Sequence, residues 1–337
     1  MDVNEIYRRL LKPSDALLAD IGKLDGDIII LGVGGKMGPA LATLAKQAVD
    51  ITGKKKNIIG VARFSEPSLQ SELEQIGIKT YSADLLEDDQ LDRLPDAPNV
   101  LYLAGMKFGT TGKESLTWAM NSYLPGRVAE KYRHSKIVAF STGNVYPFTP
   151  LASGGPTEQH PVEPLGEYAQ SCLGRERVFQ YFSTKNHTPV LIYRLNYAND
   201  VSYGVLLDIA RAVKERKPID LRMGYVNIIW QGDANEMAIR ALHHCSVPAK
   251  ILNIAGPGIC SVRSLAKEFG SLFKEEPRFV NEEQSTALLS NAEESYRLFG
   301  PPQVPLSDMI HLIARWVDDD RKTLHKPTHF QEREGNF

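Results

Sequence analysis

Short apolar runs alternate with longer amphipathic stretches along the first two hundred residues. The run Ile28–Leu31 is wholly apolar, which is typical of a strand buried on both faces. The same reasoning predicts strands at 28–31, 56–62, 80–83, 99–103, 136–140 and 189–193. The intervening helices are predicted to begin at 39 and to span 69–76, 115–132 and 167–184, and the helix at 115–132 is expected to be interrupted near Pro125-Gly126. Because strand and helix alternate, we expect a parallel sheet covered by helices on both faces.

The two ends of the chain depart from this alternation. Residues 1–26 carry apolar positions at helical spacing, with a break at Pro13-Ser14-Asp15, and we expect a helical extension that packs on the rest of the chain. Residues 27–200 are expected to form the main α/β domain. Residues 201–320 are less regular and are predicted to return to the sheet and to build a small C-terminal α/β lobe. Residues 321–337 are expected to be a solvated, frayed tail.

Composition and charge narrow the classes of function. The chain has 337 residues and a formal net charge of −2, which argues against a surface for nucleic acid or an anionic membrane. No apolar run approaches the ~18 residues of a membrane-spanning helix. The three cysteines, Cys172, Cys245 and Cys260, are widely spaced, and no set of residues has convincing metal-ligand spacing. We therefore expect a cytoplasmic protein without a metal.

A glycine-rich segment follows the first predicted strand and leads into the first helix of the main domain. In this segment Gly32, Gly35 and Gly38 recur every three residues. Glycine permits a tight turn, close approach of the backbone to a phosphate, and close packing of the helix on the strand. The helix N-terminus then offers N–H groups and partial positive charge to a pyrophosphate. The alternative is an ordinary connection, but the context favours a dinucleotide site on a Rossmann-type, doubly wound parallel sheet.

Further segments carry a resemblance to a known superfamily. The glycine spacing, the segment Phe140-Ser-Thr-Gly-Asn-Val-Tyr146 and Tyr168 together resemble extended short-chain dehydrogenases/reductases, the NAD-dependent epimerase/dehydratase group that acts on nucleotide sugars. The resemblance spans residues 27–317 and implies a homodimer through the helices at 115–132 and 167–184. It also implies that the cofactor is bound by Gly32, Gly35, Lys36, Met37, Gly38, Arg63, Asp84, Leu85, Ala104, Gly105, Tyr168, Leu195 and Asn196.

The resemblance implies that Tyr168, Ser141, Thr142 and Asn121 are the catalytic residues. In such chemistry a tyrosine gives up or returns a proton while the serine or threonine binds the substrate oxygen. The ordinary pKa of tyrosine is about 10, so it must be lowered for the residue to act as a base near neutral pH. A second candidate, Tyr181, begins a literal Tyr-x-x-x-Lys sequence, but it lies 40 residues beyond Ser141. We favour Tyr168.

The sequence departs from the superfamily pattern at one informative position. The superfamily has a lysine one helical turn after the tyrosine, and this chain has Cys172 there. Three interpretations remain open. Another cation such as Arg175 acts instead, the protein uses a different proton relay, or it binds the cofactor without turnover.

The sequence indicates the identity of the cofactor and of the substrate less directly. The second strand ends at Arg63 with no carboxylate before Glu66, which favours NADP, and NAD stays open. The segment after Ser141 lacks the acidic pair of the dehydratases. The first hypothesis is an NAD(P)-dependent oxidoreductase or epimerase of a small-molecule substrate, such as a sugar or nucleotide sugar, with an altered proton relay. The alternative is a catalytically inactive dinucleotide-binding sensor or scaffold.

Overall fold

A computed structural model describes residues 2–107, 109 and 111–335 of the chain. Its centre is a parallel sheet of seven strands in the order β3-β2-β1-β4-β5-β6-β7. The strands are β1 (Ile28–Leu31), β2 (Ile58–Ala62), β3 (Lys79–Ser82), β4 (Asn99–Tyr102), β5 (Lys136–Thr142), β6 (Val190–Leu195) and β7 (Lys250–Ile254). The expected Rossmann-type, doubly wound sheet is confirmed.

Thirteen α-helices are assigned within the described residues. They are α1 (Val3–Arg9), α2 (Asp15–Lys23), α3 (Gly38–Thr52), α4 (Pro67–Gln75), α5 (Asp88–Asp92), α6 (Glu114–Trp118), α7 (Leu124–Lys131), α8 (Gly166–Asn186), α9 (Val205–Lys214), α10 (Gln231–Arg240), α11 (Val262–Phe273), α12 (Glu293–Phe299) and α13 (Leu306–Asp318). None of the described helices is both long and apolar enough to cross a membrane.

The strand order reverses beside β1, which pairs with β2 on one side and β4 on the other. Leu31, at the end of β1, is in register with Val61 of β2 and Tyr102 of β4. The carboxyl ends of the three strands therefore lie level with one another. A ligand of such a sheet binds in the crevice outside this reversal point.

Apolar layers cover both faces of the sheet because successive side chains of a strand point to opposite faces. In β1, Ile28 and Ile30 contribute to one buried cluster, with α2, α3 and α10. Ile29 and Leu31 contribute to the other, which Phe179 of α8 joins. A third cluster lies in the C-terminal part and includes α9, α11 and α13.

Four pairs of short strands complete the C-terminal part. Two pairs are antiparallel and two are parallel. They join 149–150 to 286–287, 225–226 to 260–261, 198–199 to 229–230, and 218–220 to 278–280.

The N-terminal extension packs against the C-terminal part. Ser14 caps α2 by accepting a hydrogen bond from the Leu17 N–H, which places the predicted break between α1 and α2. The Ser14 hydroxyl also donates to Glu236 at 2.5 Å. In α1 the Tyr7 hydroxyl donates to Asp200 at 2.9 Å. These contacts join the first helices to segments about two hundred residues away.

The expectation of a solvated, frayed tail does not hold for residues 323–335, which contact the folded part of the chain; residues 336–337 lie outside the described residues. The N–H and hydroxyl of Thr328 donate to Asp208 at 2.8 and 2.6 Å. The Arg333 guanidinium donates to the carbonyl and hydroxyl of Thr286 at 2.9 and 2.7 Å and lies over the Phe148 ring. Phe330 packs against the C-terminal core. We call residues 323–335 the C-terminal strap.

Candidate active site

The glycine-rich turn connects β1 to α3 at the reversal point of the sheet. Gly32 has φ of +93°, and a Cβ there would lie 2.7 Å from the backbone nitrogen of Ala104. A Cβ on Gly38 would overlap the carbonyl oxygen of Val33. Both positions therefore require glycine, the first for backbone conformation and the second for packing of the helix on the strand. The N-terminus of α3 opens directly onto this turn.

A cavity of about 240 Å³ adjoins the turn and the carboxyl ends of β5 and β6. Its walls come from the turn, the sheet edge, helix α8 and the C-terminal strap. Of the predicted site residues, it brings together Lys36, Met37, Ser141, Thr142, Tyr168, Leu195 and Asn196. Tyr181 lies elsewhere, 60% exposed on the surface of α8 with its ring against Phe182.

Tyr168 lies in the first turn of α8 and faces Thr142 at the end of β5. The Tyr168 hydroxyl is hydrogen-bonded to the side chains of Thr142 and Cys172, and Thr142 donates to the Asn144 side chain at 2.8 Å. Burial of the hydroxyl raises the pKa of Tyr168 well above its ordinary value. Cys172 lies one turn further along α8, is completely buried, and packs with Val145. The arrangement therefore holds a protonated tyrosine beside a hydroxyl group at neutral pH.

Ser141 makes a different set of contacts from its neighbour Thr142. Its hydroxyl donates to Glu176 at 2.5 Å. The same carboxylate accepts from Arg194 at 2.9 and 2.6 Å, and Arg194 donates to Tyr146 at 2.6 Å. Glu176 and Arg194 are both buried. Ser141 thus joins a buried ion pair that ties α8 to β5 and β6.

Asn121 lies outside the cavity wall and holds the loop that follows β4. Its Oδ1 accepts from the Met106 N–H at 2.8 Å and its Nδ2 donates to the Met106 carbonyl at 2.9 Å. Asn121 belongs to a π-helical turn, 119–123, that precedes Pro125. Proline cannot donate the helical hydrogen bond, which explains why the predicted helix 115–132 is interrupted here.

Arg175 reaches the same loop from α8. It donates to Asn121 Oδ1 at 2.6 Å and to the Phe140 carbonyl at 2.8 Å. A Cβ on Gly105 would overlap this guanidinium. Gly105 and its neighbour Ala104 therefore lie where the chain passes between the end of β4 and α8.

The remaining predicted cofactor residues lie at the outer strands of the sheet. Arg63 follows β2, is 71% exposed in its side chain, and lies 3.9 Å from the Asp84 carboxylate. Leu85, which follows Asp84, is buried. These three residues are separate from the cavity that contains Tyr168, on the other side of the glycine-rich turn.

Two lysines converge on the cavity. The Lys36 Nζ lies 3.5 Å from the centre of the Tyr203 ring. The Lys107 Nζ lies 5.8 Å from the centre of the Tyr168 ring. Burial, together with the charges of Lys107 and Lys326, lowers the pKa of Lys36 to about 7. Burial lowers the pKa of Lys107 to about 8. Ionisable groups with such perturbed pKa values are typical of functional sites.

Sequence reasoning missed Lys107 and the C-terminal strap. Lys107 is an isolated lysine in a loop, with no motif around it. The strap contributes His329, Phe330 and Glu332 to the cavity, although its polar composition suggested a solvated tail. Among the described residues, no group of three or more histidine, cysteine or acidic side chains has the arrangement of a metal site.

The family model of the NAD dependent epimerase/dehydratase family matches residues 28–254. The chain belongs to this family. The match covers all seven strands of the sheet and the site residues from Gly32 to Asn196. No curated protein matches the chain significantly.

Solved structures of epimerases and dehydratases have the same fold. UDP-glucuronic acid 4-epimerase from Bacillus cereus, in complex with NAD, is 17% identical with a TM-score of 0.71, covering 87% of this chain and 96% of its own. The dTDP-glucose 4,6-dehydratase DesIV from Streptomyces venezuelae, with NAD and TYD bound, is 16% identical with a TM-score of 0.73, covering 87% and 97%. UDP-glucose 4-epimerase from Thermotoga maritima, with UDP-glucose, is 14% identical with a TM-score of 0.69, covering 87% and 99%.

Proposed function

We propose that this chain is an NAD(P)-dependent oxidoreductase or epimerase that acts on a carbinol of a sugar or nucleotide sugar. The observation that carries the proposal is the hydrogen-bonded pair of Tyr168 and Thr142 in a cavity next to the glycine-rich turn. A group that transfers a proton and a hydroxyl that orients the substrate oxygen would then act on the same substrate atom.

The residues of the turn fit a dinucleotide. Gly35 lies where a Cβ would come within 3.3 Å of the Gly32 carbonyl, so a side chain would crowd the turn. The N-terminus of α3, a helix of 15 residues, opens onto it and would stabilise a pyrophosphate. Lys36 and Met37 would bind the same group from the turn. A nicotinamide bound here would supply the hydride acceptor and donor.

The chain's own residues would handle the proton. Tyr168 would accept the hydroxyl proton when the substrate carbon is oxidised and return it when the carbonyl is reduced. Thr142 would hold the substrate oxygen by turning its hydroxyl proton from the neutral Asn144 side chain to the substrate, whereas the buried, charged carboxylate of Glu176 holds the proton of Ser141. As the pKa of Tyr168 is raised by burial, the residue is a proton donor at neutral pH and needs a nearby positive charge to act as a base.

We propose NADP as the preferred cofactor, with NAD as the alternative. Arg63 at the end of β2 is exposed and could bind a 2′-phosphate, although Asp84 lies 3.9 Å away and competes for its charge. The NAD in the epimerase and dehydratase structures supports the alternative.

A homodimer through α6–α8 also belongs to this proposal. Trp118, Tyr123 and Tyr181 are 38%, 56% and 60% exposed along these helices. Exposed aromatic residues are enriched at interfaces between proteins. Light scattering at micromolar concentration should give twice the chain mass, and a monomer would contradict the proposal.

A second candidate function is a dinucleotide-binding protein without turnover. Cys172 favours it, since a buried thiol cannot supply the positive charge that a tyrosine base needs. This candidate predicts saturable binding of the cofactor and no conversion of any substrate.

Turnover of a panel of UDP- and dTDP-sugars, each with NAD and NADP, tests the two candidates. Products are identified by NMR, and Tyr168→Phe is compared with Tyr181→Phe. We expect Tyr168→Phe to lower kcat at least about 100-fold, because it removes the proton-transferring hydroxyl. Tyr181→Phe should leave the rate unchanged. Loss of turnover in Tyr181→Phe alone would overturn the assignment of Tyr168.

A further inference from the structure

The titratable and charged groups around Tyr168 come from four elements. Helix α8 contributes a thiol and a guanidinium from the two turns that follow Tyr168. The loop after β4 and the glycine-rich turn contribute one lysine each. The C-terminal strap contributes an imidazole and a carboxylate. These groups are Cys172, Arg175, Lys107, Lys36, His329 and Glu332. Of these groups, Arg175 lowers the pKa of Tyr168 through its charge, and the Lys107 Nζ lies 5.8 Å from the centre of the Tyr168 ring.

Arg175 is already engaged in holding the backbone. Its Nη1 donates to the Phe140 carbonyl at 2.8 Å and its Nη2 donates to Asn121 Oδ1 at 2.6 Å. Its charge lowers the pKa of Tyr168, an effect smaller than the increase caused by burial. The guanidinium cannot move towards the phenol without breaking the contacts that hold the loop after β4.

Lys107 approaches Tyr168 from that loop. Its Nζ lies 5.8 Å from the centre of the Tyr168 ring, and both residues border the cavity. The preceding residue, Met106, is held at both its N–H and its carbonyl by the buried Asn121. A two-point contact of this kind restricts the backbone from which the lysine side chain extends towards the cavity.

We propose that Lys107 supplies, from the loop after β4, the positive charge that residue 172 does not supply from the helix, and thereby stabilises the phenolate of Tyr168 during proton transfer. The proposal rests on the function proposed above. It makes Asn121 a positioning residue for the loop and Lys107 the electrostatic partner of the base.

The electrostatics of the pair support this role. Burial lowers the pKa of Lys107 to about 8 and raises the pKa of Tyr168, so each charged form alone is destabilised in the cavity. A phenolate and an ammonium together offset part of both costs. Groups whose interaction exceeds about one pH unit titrate as a pair. At the 5.8 Å between the Lys107 Nζ and the centre of the Tyr168 ring, Coulomb's law with an effective dielectric of about 20 gives roughly 2 pH units of mutual stabilisation.

The test compares the full-length wild-type protein with Lys107→Met, Lys107→Arg and Lys185→Met. Lys185→Met is the matched control, because Lys185 is the lysine of the alternative Tyr-x-x-x-Lys sequence and is exposed on α8. Two quantities are measured: the pH dependence of kcat/KM, and the NMR resonances of tyrosine labelled with carbon-13 at Cζ, with Tyr168→Phe used for assignment. The second readout does not require turnover.

We expect Lys107→Met to move the pH at which Tyr168 ionises upward by about 1 to 2 units and to lower kcat/KM about 10- to 100-fold at neutral pH. Lys107→Arg should retain most of the wild-type pH profile, and Lys185→Met should match the wild type. An unchanged titration of Tyr168 in Lys107→Met would overturn the proposal. An increase in KM with an unchanged pH profile of kcat/KM would also overturn the proposal, because Lys107 would then only bind the substrate.

The two proposals fail in distinguishable ways. A wild-type protein that turns over no substrate contradicts the proposed enzyme, while the NMR titration still decides whether Lys107 acts on Tyr168. An active enzyme whose Tyr168 titration ignores Lys107→Met contradicts this inference alone.

Discussion

Replacing Glu176 by glutamine should destabilise the fold strongly. Glu176 is completely buried and accepts two hydrogen bonds from the buried Arg194, at 2.9 and 2.6 Å, and one from Ser141. Glutamine keeps the shape and one acceptor oxygen but removes the negative charge. The Arg194 guanidinium would then remain buried between α8 and β6 without a counter-charge.

The magnitude follows from the cost of an uncompensated buried charge. Removing one partner of such a pair costs about 3 to 5 kcal/mol. With an unfolding entropy of about 2.1 cal/mol/K per residue, the 337 residues give about 0.7 kcal/mol/K. If the chain unfolds in one transition, Glu176→Gln should lower Tm by about 4 to 7 °C.

Differential scanning calorimetry measures this change. Glu275→Gln is the matched control, because Glu275 also accepts two hydrogen bonds from one arginine, Arg216, whose side chain is 64% exposed. Exposed pairs contribute little to stability, so the control should change Tm much less. A Tm loss in Glu176→Gln no larger than in Glu275→Gln would refute the reasoning.

Three further predictions concern ligand binding. Ending the chain at residue 322 removes one wall of the cavity, so KM for the substrate should rise about 10-fold or more. Dinucleotide affinity, measured by fluorescence, should stay close to that of the wild type. An unchanged KM would contradict a role for the strap in substrate binding. Arg63→Ala should lower the NADPH-to-NADH affinity ratio about 10-fold if Arg63 binds a 2′-phosphate, and an unchanged ratio would remove that role. Burial is the main cause that lowers the pKa of Lys36 to about 7, so the positive charge of this lysine is present below that pH and is lost above it. Dinucleotide affinity should therefore weaken as pH rises through about 7, and Lys36→Met should flatten this dependence; equal pH dependence in both proteins would exclude Lys36 as a phosphate ligand.

The sheet and the glycine-rich turn could be predicted because their determinants are local. The apolar run Ile28–Leu31 buries both faces of β1, and the spacing of the following glycines meets conformational and packing requirements within seven residues. The interruption of the helix at 115–132 could also be predicted, because its cause is local: Pro125 removes a hydrogen-bond donor.

The choice between Ser141 and Thr142 depends on three-dimensional neighbours. Thr142, the last residue of β5, meets Tyr168 in the first turn of α8, while Ser141 meets Glu176 two turns further along the same helix. The sequence predicted both positions and could not distinguish their contacts.

Lys107 and the C-terminal strap were missed because their positions depend on long-range contacts. The strap is held by two long-range contacts. Thr328 binds Asp208, which lies 120 residues earlier in the chain, and Arg333 binds Thr286, which lies 47 residues earlier. The loop that carries Lys107 is held beside the cavity by the contact of Asn121 with Met106. No pattern within either segment indicates these partners.

A fluorescence titration of the purified protein with NADPH and NADH tests the central claim most directly. Gly35→Asp provides the comparison, since it places a negatively charged side chain in the turn where a Cβ would lie 3.3 Å from the Gly32 carbonyl. We predict saturable binding of at least one dinucleotide to the wild type, and binding weakened about 100-fold or more in Gly35→Asp. Binding of neither dinucleotide to the wild type would mean that the turn is only structural, and would contradict the account.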